Sequence, residues 1–86
     1  MSQVQVFDID TINVFTKGDL IETSDYGHRG YIREFGILKD NKLNQDWLNE
    51  QLKSWSDWDK TNPVAVIDCI PKGSAIVPIN RLMIGE

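Results

Sequence analysis

One cysteine, one histidine and three prolines are all that 86 residues hold of those types. Each scarcity excludes something. The single cysteine, Cys69, has no second thiol for an internal disulfide, which points to a reducing, cytoplasmic setting. The single histidine, His28, cannot build a structural zinc site, which takes four ligands. No apolar run approaches the roughly 20 residues of a membrane-spanning helix. The opening residues, MSQVQVFDID, carry neither a basic n-region nor an apolar h-region, so a secretory signal peptide is not expected. Basic residues are few: nine Lys and Arg against thirteen Asp and Glu leave a net charge of −4. That balance opposes generic binding to a phosphate backbone, which depends on Lys and Arg releasing counterions. Internal repeats, like-charge blocks and low-complexity tracts are absent from the chain.

What remains is a chain sized for one compact domain, residues 1–86, with an ordinary apolar fraction of 41%. Residues 3–7, QVQVF, alternate as a half-buried strand does. Ile9, Ile12, Val14 and Phe15 continue the apolar content, so residues 3–15 read as one strand, or a strand with a turn near Asp10-Thr11. The next stretch, KGDLIETSDYGHRGYIREFGIL from Lys17 to Leu38, reads as strand, turn, strand, over residues 18–24 and 30–38. Its polar tip holds Gly27 and Gly30, which permit the positive φ that tight reversals use.

Asn44 is a candidate helix cap, because its side-chain oxygen can accept from an unpaired amide of the first turn. Trp47, Leu48, Gln51, Leu52 and Trp55 follow at helical spacing. The spacing predicts a helix over about 44–57, its Trp/Leu stripe packed on a sheet and Asp46, Glu50, Lys53 and Asp57 on other faces. Thr61-Asn62-Pro63 ends the region. The β-branched run VAVIDCI over 64–70, a turn at Pro71-Lys72-Gly73-Ser74, a strand over 75–78 and a turn and last strand over 80–84 complete the chain. Cys69 falls in an apolar run with no cation nearby, which predicts an inert buried thiol. The expected fold is mainly β: five or six strands with one amphipathic helix against them.

Two segments resemble the SH3-like barrels of small bacterial and phage proteins, related in shape to KOW-type domains. One is Lys17-Gly18-Asp19-Leu20-Ile21 through Gly27-His28-Arg29-Gly30-Tyr31-Ile32. In such barrels Gly-Asp and apolar residues open the first strand, and a Gly precedes the second. The other is Ile76-Val77-Pro78-Ile79-Asn80-Arg81-Leu82, which is similar to their ending, a strand entering a 3₁₀ turn and a final strand. The resemblance implies an SH3-like barrel, and a small, acidic, stand-alone domain of this type also fits an accessory protein of a phage or mobile element. The segment before Lys17 and the helix within 41–58 are additions to that pattern.

Little in the chain reads as catalysis. Phe7-Asp8-Ile9-Asp10-Thr11 resembles the first motif of haloacid-dehalogenase-type phosphatases, where paired carboxylates work around Mg²⁺. That chemistry needs a doubly wound sheet and distant residues that 86 positions cannot supply, so two exposed carboxylates are the expected reading. No catalytic residue, metal site or cofactor is expected. Tyr26, His28, Arg29, Tyr31 and Arg33 form an aromatic–basic cluster of the kind that anchors protein interfaces. Alternation puts Tyr31 and Arg33 on one face and Ile32 on the other. Trp58, between Asp57 and Asp59, is hard to bury and joins the expected partner surface. The leading expectation is a non-enzymatic module that binds a protein partner through Tyr26, His28, Arg29, Tyr31, Arg33 and Trp58, with no membrane involved. A nucleic-acid or nucleoprotein accessory factor using Arg29, Arg33, Lys39 and Lys42 is the alternative. A homo-oligomer is compatible with either, since small domains gain burial by association.

Overall fold

A computed structural model describes residues 3–23, 27–51 and 55–84, with the backbone alone at Gln51. The chain is mainly β. Strand β1 (Val4–Val6) leads into a small hairpin, β2 (Thr11–Ile12) and β3 (Phe15–Thr16). Then come β4 (Leu20–Thr23) and the long β5 (Arg29–Leu38). Two helices follow, α1 (Lys42–Gln51) and α2 (Asp57–Thr61). Strands β6 (Val64–Cys69) and β7 (Ser74–Pro78), a 3₁₀ turn (Ile79–Arg81) and β8 (Leu82–Ile84) finish the chain. The main sheet runs β7-β6-β5-β4-β8, all antiparallel, and β1 pairs with the far half of β5. Among the described residues no ladder joins β7 to β8, so these strands form an open path.

One irregularity gives the sheet two packed faces. Ile32 pairs with Ile67 and Glu34 with Val66, so Arg33 is the extra residue of a β-bulge. Strict alternation would put Ile32 and Phe35 on opposite faces. The bulge lets both enter one core, with Phe15, Ile21, Ala65, Ile67, Val77, Ile79 and Leu82. The opposite face carries a second core of Val4, Leu38, Val64 and Val66 under Leu48 and Trp55, with Trp47 and Ile76 partly buried on it. This outer core covers only the half of the sheet that includes β1 and the end of β5. The other half of that face is open.

Residues 3–15 are not one strand. The chain leaves β1 and reverses at Asn13-Val14, between the paired Ile12 and Phe15. Asn13 takes a φ of 54°, a left-handed value that Asn tolerates better than most residues. The expected helix over 44–57 is present as α1, Lys42–Gln51; Trp55 and Ser56 are not helical, and the short α2 follows as a separate turn of helix. Ser56 is extended and caps α2: its hydroxyl accepts from the Asp59 amide, while the Asp59 carboxylate accepts from the Ser56 amide. Leu52, expected on the buried stripe, lies outside the described residues.

Asn44 is not the cap of α1. Asn41 is, its Oδ1 accepting from the Asn44 amide at 2.8 Å. Asn44 is instead buried, at 3% exposure, and its amide nitrogen donates to the carbonyls of Gln3 (2.8 Å) and Lys39 (2.7 Å). It ties the entry of the helix to the N-terminal strand. The two tip glycines also differ. Gly27 has a φ of +69°, whereas Gly30 has no left-handed backbone and is needed for space, since a Cβ there would run into the Asp68 carbonyl of β6. Gly73 takes the positive φ expected of its turn, +97°. Cys69 is half-buried against the inner core.

Candidate functional site

The open half of the outer face can be built row by row from the ladders. Met83 pairs with Glu22, and Glu22 with Arg29. The Ile70 amide donates to the Arg29 carbonyl at 2.8 Å, extending that row to a fourth segment. The next outward row is Leu20, Tyr31, Asp68 and Ser74. Tyr31 stands in the middle, 48% exposed, with Met83 and Ile70 as exposed apolar neighbours in the adjacent row. Period-two alternation sends Ile21, Gly30 and Ile32 inward, and all three are buried.

Both arginines of this face have a carboxylate against them. Arg29 Nε lies 3.7 Å from Glu22 Oε1. Arg33 Nη2 donates to Asp68 Oδ1. That bond holds the Asp68 carboxyl below its ordinary value and raises Arg33. All four side chains are about half exposed, so water screens the pairs and each contributes little stability. Their effect is geometric. They set two paired arginines two positions either side of Tyr31 on β5.

The structure brings Arg29, Tyr31 and Arg33 onto one surface. His28 is exposed at the start of β5, where its amide donates to Thr23 Oγ1 at 2.9 Å and its carbonyl accepts from the Thr23 amide. Tyr26 lies outside the described residues. Trp58 is elsewhere. It lines a hollow with Asn13, Asn62, Pro63 and Asn80, and Pro63 immediately precedes the opposite end of β6. Asp68, the partner of Tyr31, lies four residues beyond Val64, about 13 Å at the usual strand rise. Sequence reasoning did not place Asp68, Met83 or Ile70 on this face. Their contribution follows from strand register, which no local spacing announces.

Asp8 and Asp10 are exposed in the segment between β1 and β2, and Asp10 lies 3.8 Å from Lys17 Nζ. Among the described residues no three His, Cys, Asp or Glu gather as a metal site, and no helix is long and apolar enough to cross a membrane. Compared with protein families, curated proteins and solved structures, the chain matches none.

Proposed function

We propose that the protein is a non-enzymatic interaction module that binds a protein partner through the open half of its outer sheet face, with Tyr31, Arg29 and Arg33 as anchors. The observation that carries this reading is the position of Tyr31. A large aromatic ring sits half exposed at the centre of a sheet face whose other half is covered by α1 and Trp55. Tyrosine and arginine dominate interface energies because they bury large areas and make directional bonds. The flanking ion pairs leave this face with paired charges instead of a basic stripe, which favours a protein over a phosphate backbone.

An SH3-like barrel belongs to the same proposal. Its support is the Gly-Asp entry into β4 and the passage from β7 through a 3₁₀ turn into β8, which then pairs with β4. A cytoplasmic setting and an accessory role in a phage or mobile element complete it. Affinity capture from host lysate, repeated after nuclease treatment, tests the partner class. A protein retained after nuclease is the expected result, and a partner lost with the nucleic acid overturns it.

A further inference from the structure

We propose that the hollow beside Trp58 is a second binding site, separate from the sheet face, for a neutral polyhydroxylated ligand of about one saccharide ring. The hollow measures about 290 Å³. Ile12, Trp58, Pro63 and Ile79 supply its apolar lining and Asn13, Asn62 and Asn80 its polar lining, the last two with part of their carboxamides engaged by the Trp58 carbonyl and by Asp59. Among the described residues no charged side chain lines it.

Trp58 is 55% exposed, whereas Trp55 is buried and Trp47 half-buried on the outer core. Its helix is well anchored. Asp59, 1% exposed, closes the capping box with Ser56 and takes an ion pair from Arg81 at 3.3 Å. The Asn62 amide nitrogen donates to the Trp58 carbonyl at 2.7 Å, which fixes one end of that carboxamide. The ring is therefore presented on a held scaffold.

The lining selects a chemistry. The C–H face of a sugar ring suits an indole face. Each hydroxyl both donates and accepts, and a carboxamide offers both functions without charge. A phosphate or carboxylate ligand would meet no cation in this lining. The volume lies at the small end for ligand sites, which limits the occupant to about one ring.

The test is an NMR titration of the isotope-labelled protein with methyl glucoside, methyl galactoside and N-acetylglucosamine. A proline-containing peptide and a nucleoside monophosphate are titrated in parallel. The expected result is saturable shifts of the Trp58 indole and of the Asn13, Asn62 and Asn80 carboxamides with at least one saccharide, and none at Tyr31. Trp58→Ala should abolish the shifts while keeping the parental unfolding midpoint. Asn13→Gly, which keeps the left-handed backbone and removes that carboxamide, should weaken binding by roughly three- to tenfold, the worth of one neutral hydrogen bond. The proposal is overturned if no saccharide moves these resonances, if the peptide or nucleotide moves them instead, or if Trp58→Ala binds like the parent. None of these outcomes depends on the sheet face binding a protein.

Discussion

At the scale of single residues, identical side chains have different duties. Gly27 and Gly30 stand three apart. Gly27 is set by its backbone, φ +69°, with open space where a Cβ would go. Gly27→Ala should therefore cost about 1 kcal/mol, the strain of a left-handed alanine. Gly30→Ala drives a Cβ into the backbone of β6, which cannot yield as a flexible side chain can, and should cost about 3 kcal/mol. Denaturant unfolding of the two variants gives the comparison, and equal costs would contradict the close approach of β5 and β6. Asn41 and Asn44 differ in the same way. Asn41→Ala removes a cap, about 1 kcal/mol. Asn44→Ala removes two bonds from a buried side chain and leaves a hole there, about 2 kcal/mol, although the Gln3 and Lys39 carbonyls keep their bonds from the Lys39 and Asn41 amides. Chemical denaturation should rank Asn44 as the costlier loss.

At the scale of elements, α1 is held by the face it buries. Leu48 is 2% exposed in the outer core, so Leu48→Ala should cost about 2–4 kcal/mol through the cavity it leaves. A cost within about 0.5 kcal/mol of zero would mean the helix does not pack there. The short α2 links stability to pH. Burial pushes the Asp59 carboxyl up, but bonds from the Ser56 amide and hydroxyl, with Arg81 and Asn80, outweigh it and leave it below its ordinary 3.8. The unfolded group titrates near 3.8 and the folded group lower, so its contribution is complete above 3.8 and is lost as pH falls through the folded value. Asp68 adds in the same direction. Acid unfolding of Asp59→Asn should show a shallower loss of stability over that range than the parent. An unchanged slope would remove Asp59 from the account.

Much of this was legible in the residues. The apolar runs of β4 to β7, bounded by Gly, Pro and Asn, announce strands, and Trp47, Leu48 and Trp55 announce a covering helix. The cap was not legible, because Asn41 and Asn44 are chemically the same and only tertiary contact with Gln3 distinguishes them. The break before α2 was hidden because Trp55 continues the helical stripe while Ser56 starts a new cap. The bulge at Arg33 and the Arg33–Asp68 pair join strands 35 residues apart, a matter of register and not of local pattern. Tyr31 and Arg33 on one face followed from alternation. That Trp58 stands at the other end of β6 did not.

At the scale of the whole molecule, one sheet face is divided in two. One half is core, sealed by α1 and Trp55. The other half presents Tyr31 between two paired arginines and is the proposed protein-binding surface. The double change Arg29→Ala/Tyr31→Ser should leave stability within about 1 kcal/mol, since these sites are half exposed and the Arg29 pair is weak. The same change should weaken partner binding by about 2 kcal/mol or more, as expected for anchors. The most direct measurement is quantitative affinity capture from nuclease-treated lysate with the parent, the double variant and Trp58→Ala, all checked for equal melting temperature. The expected result is a protein that the parent and Trp58→Ala both retain and the folded double variant loses. Retention of that protein by the double variant at parental strength would contradict it.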